Sequence, residues 1–151
     1  MKPTIRSALI LLAVTVAALP PQRAAAKAVR QLTFFAVLNG GQVVPPSPSN
    51  AMGVGFLTLD LSTKRVCYSI NYSTLLGTET EAHLHAAQPG ETNAVLYDLT
   101  PLGTPKVSCI GPIKPNEEKL LKQGRMYINI HTDLYVAGEI RGQVLPVPAA
   151  R

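Results

Sequence analysis

Val66-Cys67-Tyr68-Ser69-Ile70-Asn71-Tyr72 places Val66, Tyr68, Ile70 and Tyr72 on one side of an extended chain and Cys67, Ser69 and Asn71 on the other. A sheet with one buried face requires this period of two. Six further stretches read the same way: Leu32 to Leu38, Val54 to Leu61, Ala82 to Ala86, Ala94 to Leu99, Met126 to His131, and Glu139 to Leu145. Asn39-Gly40-Gly41, Pro45-Pro46, Ser47-Pro48-Ser49-Asn50, Pro89-Gly90 and Ala137-Gly138 separate them with residues that break a ladder or supply turn conformations. One segment departs from the pattern. Pro115 to Gly124 carries Glu117 and Glu118 early, Lys122 late and Gly124 as a stop, which predicts a short helix with Asn116 as its N-cap. Only Leu120 and Leu121 are apolar in it, so the helix is expected to lay one narrow edge over an open end of the sheets. Seven short strands and one helix predict an all-β fold, a β-sandwich or a small Greek-key barrel.

The length of 151 residues allows one domain, and 46% hydrophobic against 15% charged residues excludes a disordered chain. With 13 Pro and 11 Gly, long helices are excluded as well. The formal charge of +5 invites a nucleic-acid partner until the basic residues are located. Lys2 and Arg6 precede an apolar run from Ala8 to Leu19, which Pro20 and Pro21 end before Ala24-Ala25-Ala26. This is the layout of a secretory signal peptide over residues 1–26, cleaved near Ala26. The run is shorter than the roughly 20 residues that span a bilayer, so no permanent membrane anchor is expected. Cleavage removes Lys2, Arg6 and Arg23, leaving eleven basic and nine acidic residues on 27–151, a charge of +2 without a basic cluster. Nucleic acid is therefore not an expected partner. The mature domain, with its core at about 32–145, is expected to be secreted or periplasmic.

Export also governs the reading of the two cysteines. An oxidising compartment favours pairing them, and no CxxC spacing points to redox or zinc chemistry, so a Cys67–Cys109 disulfide is expected. Free buried thiols are the alternative.

The three histidines carry the chemistry. His83 and His85 share one side of their strand opposite Leu84, and His131 lies with Tyr127 and Asn129 opposite Met126, Ile128 and Ile130. With the Leu84 and Ile130 sides buried, all three imidazoles are expected to face outward. Glu139, Arg141 and Gln143 fall opposite Ile140 and Val144 and are expected on the exterior too. Residues two apart on a strand project the same way about 6.6 Å apart, so a His-x-His pair can converge on one ion. A third imidazole from another strand would complete a His83, His85, His131 site for copper or zinc with an open position. The bland reading is three unligated histidines on a polar strand face. For Arg141 with Glu139 or Glu81 it is a surface ion pair, and for Tyr68, Tyr72 and Tyr127 it is half-buried packing.

Four ordered motifs resemble the signatures of the CHRD domain: Phe34 to Pro46 (FFAVLNGGQVVPP), Ala82-His83-Leu84-His85, Tyr127 to Thr132 (YINIHT) and Gly138 to Val144 (GEIRGQV). The resemblance covers about residues 32 to 145. This module is named after chordin, an extracellular protein that binds growth factors, and stands alone in many exported bacterial proteins. The cysteine-rich modules that accompany ligand binding in chordin are missing, so growth-factor antagonism is not carried over. The domain is in turn distantly similar to copper,zinc superoxide dismutase, which implies an immunoglobulin-like or superoxide-dismutase-like Greek-key barrel. His83, His85 and His131 match that family's copper-ligand pattern in type and order, and Arg141 resembles its anion-guiding arginine, with Glu139 as a supporting candidate. No fourth histidine and no acidic cluster between Pro89 and Leu99 completes the family's zinc subsite.

No Ser-His-Asp order, paired carboxylates or phosphate loop stands out. The expected function is a non-catalytic extracytoplasmic binding or structural module with a copper or zinc site. The alternatives are a mononuclear copper-handling or dismutase-like metalloenzyme, and an interaction module that offers a strand edge to an extracytoplasmic protein partner.

Overall fold

Eight strands and one helix follow one another in the computed structural model, which describes residues 30–148. They are β1 (Gln31–Asn39), β2 (Met52–Asp60), β3 (Val66–Tyr72), β4 (Glu79–His85), β5 (Val95–Asp98), β6 (Lys106–Ile110), α1 (Pro115–Lys122), β7 (Met126–Thr132) and β8 (Ile140–Pro146). The expected signal segment and its cleavage point lie outside the described residues.

All strand pairs are antiparallel, in the order β5-β4-β7-β8-β1-β2-β3-β6. The curled sheet brings its two ends together, and side chains close the seam. Lys106 of β6 reaches Glu79 of β4 at 2.5 Å and donates to the Pro101 carbonyl at 2.6 Å. The Tyr72 hydroxyl and the Gly103 N–H both donate to Glu79 Oε2, each at 2.5 Å. Both members of the ion pair are buried, so each depends on the other and on these added bonds to offset its lost hydration. Burial and the neighbouring Glu79 carboxylate push the Tyr72 phenol up from its ordinary value. The result is the expected all-β, Greek-key barrel.

Phe34, Leu57, Leu59, Val66, Ile70, Leu84, Ile128, Ile130, Ile140 and Val144 fill the interior. Each contributes about 1.5–3 kcal/mol through removal of its side chain from water. Val66, Tyr68 and Ile70 point inward, as their alternation requires. The outer face of β1 and β2 is itself apolar, with Phe35 opposite Phe56 and Val37 opposite Val54, all four exposed.

β6 is an eighth strand where seven were expected. It pairs with β3 in a register that sets Cys67 opposite Cys109, and the expected disulfide joins them. The helix differs at its start. Lys114, not Asn116, is the N-cap, because Pro115 supplies a preset φ at the first helical position. Glu117 then reaches back to accept the Lys114 N–H at 2.8 Å, and Gly124 closes the other end at φ +67°. Leu121 is buried in the core, while Glu117 Oε2 also accepts the Tyr97 hydroxyl at 2.5 Å. Burial and that carboxylate push the Tyr97 phenol up to about 12.

Candidate metal centre

β4, β7 and β8 are neighbours, and their register lines up two rows of polar side chains on the outer face. His83 stands opposite Asn129 and Asn129 opposite Arg141; His85 stands opposite Tyr127 and Tyr127 opposite Gln143. The inner face carries Leu84, Ile128 and Ile140 as expected. The outer face is nevertheless not solvent. His85 is 6% exposed, Arg141 2% and Glu139 0%, and Gln143 is buried too, which corrects the exterior placement of these residues. Alternation assigns a side of the sheet, but the chain between strands decides whether that side is roofed.

Two of these connections orient the imidazoles. His85 Nδ1 donates to the Asn93 carbonyl at 2.8 Å, and His131 Nδ1 donates to the Val136 carbonyl at 2.9 Å. A carbonyl only accepts, so both rings carry their proton on Nδ1 and present an Nε2 lone pair. Asn129 Nδ2 donates to His131 Nε2 at 3.2 Å and to the Ala137 carbonyl at 3.0 Å, holding the strand and the following loop together. His83 Nε2 turns toward Asp98 at 3.4 Å and Glu81 at 3.7 Å, which leaves its Nδ1 for the interior of the cluster. Burial holds the His85 imidazolium below its ordinary pKa against the opposing pull of the Asn93 carbonyl, and His83 and His131 add repulsion. Burial does the same to His131. Both rings therefore favour the neutral form that a metal needs.

The three rings offer nitrogens that all lie within 4.8 Å of one another. His83 Nδ1 and His131 Nε2 are 3.2 Å apart, and His85 Nε2 is buried with no hydrogen-bond partner among the described residues. His83 Nδ1 and Asn129 Nδ2 are both within hydrogen-bond distance of His131 Nε2, so a cation on His131 Nε2 would replace these contacts, and it would also give the orphaned His85 Nε2 a partner. Tetrahedral bonds of about 2.0–2.1 Å set ligand nitrogens about 3.4 Å apart, so binding draws the most widely spaced of these nitrogens together by about 1.4 Å. An all-imidazole donor set with hydrogen-bonded outer nitrogens suits copper or zinc rather than calcium or magnesium. The residues fit such an ion.

The family model of the CHRD domain matches residues 34–144. The chain belongs to the CHRD domain family. No curated protein and no solved structure gives a significant match.

Two further sequence candidates are placed differently in this CHRD domain. Glu139 accepts from the Ser49 hydroxyl at 2.7 Å, the Leu76 N–H at 2.7 Å, the Gly77 N–H at 3.1 Å and the Thr132 hydroxyl at 3.0 Å. It ties together three segments of the chain, one through backbone N–H groups and two through hydroxyls. Arg141 forms no ion pair with Glu139 or Glu81; its guanidinium lies over the Tyr127 ring, 3.5 Å from the centroid. His85 is stacked on Tyr127, with centroids 4.7 Å apart and an interplanar angle of 2°. Because β7 lies between β4 and β8, Tyr127 stands between the imidazole and the guanidinium. Tyr68 and Tyr127 are fully buried rather than half-buried.

Sequence reasoning missed Asn93 and Val136, which act through backbone carbonyls and so leave no residue-type signal. Asp98 was missed because its strand position becomes relevant only when β5 pairs with β4 and sets it opposite His83. Asn129 was legible as a neighbour of His131 on the same face.

Proposed function

We propose that this CHRD domain is an exported, non-catalytic binding module that holds one copper or zinc ion on His83 Nδ1, His85 Nε2 and His131 Nε2. The observation that carries the reading is the convergence of three ring nitrogens within 4.8 Å, two of them with tautomers set by carbonyl acceptors. The signal-like N-terminus supports a periplasmic or secreted location, and the Cys67–Cys109 bridge is in keeping with an oxidising compartment. Three neutral ligands leave the ion's positive charge uncompensated and a coordination position open to water or a small ligand.

A non-catalytic role is preferred to dismutase-like chemistry because Tyr127 separates Arg141 from His85, so this arginine does not share the histidine cluster. The test is metal analysis of the untagged mature protein, followed by Cu²⁺ and Zn²⁺ titration of wild type and of His83→Ala, His85→Ala and His131→Ala. The expected result is one tight equivalent in wild type, weakened at least tenfold by each substitution. Equal, weak binding by all four proteins overturns the metal reading. Superoxide loss catalysed by the copper-loaded protein would instead favour the enzyme.

A further inference from the structure

On the far side of Tyr127 from the histidines, Arg141 and Gln143 form part of the wall of a cavity of about 310 Å³. Gly41, Gln42, Val44, Pro46, Pro89 and Gly90 also line it. None of the residues that line it is acidic.

The arginine itself is electrically incomplete. It is 2% exposed, and no carboxylate lies within ion-pair distance among the described residues. Nη2 donates to the Gln88 carbonyl at 3.2 Å, and the π face of Tyr127 provides partial compensation. Nη1 is buried without a hydrogen-bond partner among the described residues. Burial accordingly pulls its pKa below the ordinary value, only partly opposed by Tyr127. A buried guanidinium with one free edge is costly unless an anion completes it. A second orphan lies in the same wall. Gln143 Nε2 is fully engaged by the Ala87 and Gly124 carbonyls at 2.9 and 2.8 Å, which leaves Oε1 buried and unpartnered.

We propose that this cavity binds a small organic carboxylate, held by Arg141 Nη1, whose neighbouring O–H or N–H group donates to Gln143 Oε1. The planar fork of guanidinium matches a carboxylate, and the volume lies at the low end of small-molecule pockets. An adjacent hydroxyl or amino group on the ligand satisfies the amide oxygen that a simple acid leaves bare. The site does not depend on the metal reading, since the aromatic ring of Tyr127 divides the two.

The test uses chelator-treated mature protein, so that the absence of metal binding does not affect it. Glycolate, acetate and chloride are titrated separately by calorimetry and by chemical-shift perturbation. One saturable glycolate equivalent is expected, at least several-fold tighter than acetate, with chloride a poor competitor. Arg141→Gln should weaken glycolate at least tenfold. Should that variant not fold, Val44→Glu decides: Val44 is a partly exposed lining residue, at 36%, and a carboxylate there repels the ligand or competes with it for Arg141 while leaving the arginine in place. Absence of saturable glycolate binding, or binding unchanged by Val44→Glu, overturns the proposal. Equal affinity for acetate and glycolate overturns the role given to Gln143.

Discussion

His85 lies flat against Tyr127, at an interplanar angle of 2°, and the opposite face of the same ring carries the Arg141 guanidinium. The phenol ring is thus a partition whose two faces fix one metal-ligand candidate and one buried cation. Its planar surface matters more than its hydroxyl for both contacts. Tyr127→Phe should leave metal titration and stability close to wild type. Tyr127→Leu should cost about 2 kcal/mol of stability through lost packing and lost cation–π contact, and weaken metal binding about tenfold by freeing the His85 ring. Denaturant unfolding and Cu²⁺ titration of the two variants check both halves.

The loop after β7 is equally constrained. Gly138 sits at φ +119°, and a Cβ there would lie 2.2 Å from the Asn129 carboxamide oxygen. Any side chain must push the loop outward or displace Asn129. Either movement strains the Val136 carbonyl that sets the His131 tautomer and the Ala137 carbonyl that Asn129 holds. Gly138→Ala is therefore expected to lower the melting temperature and weaken metal binding together, although the residue ligates nothing. A variant with unchanged metal affinity would show that the His131 orientation does not depend on this loop.

The disulfide offers the opposite dissociation. It ties β3 to β6, on strands that carry none of the three histidines, and spans a sequence separation of 42 residues. Closing a loop of that size restricts the unfolded chain by about 4 kcal/mol. Cys67→Ala with Cys109→Ala should thus lower the unfolding midpoint substantially while leaving metal stoichiometry and affinity intact. Calorimetric melting and metal titration of the same preparation separate the two effects.

How far the sequence could be read depends on which contacts are local. The β3 strand and its inward residues were legible because a polar–apolar alternation shows which side is wet. β6 was not: Lys-Val-Ser-Cys-Ile is short and half polar, and its lysine is buried only because Glu79 arrives from a distant strand. The histidines were assigned the correct face, but His85 is buried rather than exposed, since roofing by the chain around Asn93 is a tertiary property. The same reason explains Arg141 and Glu139, which alternation placed on the exterior and whose partners are a carbonyl and an aromatic ring for Arg141, and two backbone N–H groups and two hydroxyls for Glu139. Asn116 was a reasonable cap by residue type. Pro115 took precedence by fixing the backbone one residue earlier.

Glu139 provides a pH test of that buried polar architecture. Burial pushes its carboxyl up, but the Leu76 N–H, the Ser49 hydroxyl, the Gly77 N–H and the Thr132 hydroxyl together hold it below the ordinary value of 4.5. A carboxyl whose folded pKa is depressed contributes stability that is fully present above the unfolded value and is lost as pH falls through the folded one. Glu139→Gln keeps the shape but replaces one acceptor oxygen with an N–H₂ donor facing other donors, which should cost about 3 kcal/mol at pH 7. In acid the wild-type carboxyl also gains a proton and loses the same advantage, so the gap between the two proteins should narrow from pH 5 to pH 2. Urea unfolding of both across that range measures the gap directly. A difference that stays constant or widens in acid would mean that the charge of Glu139 is not what holds Ser49, Leu76, Gly77 and Thr132 together.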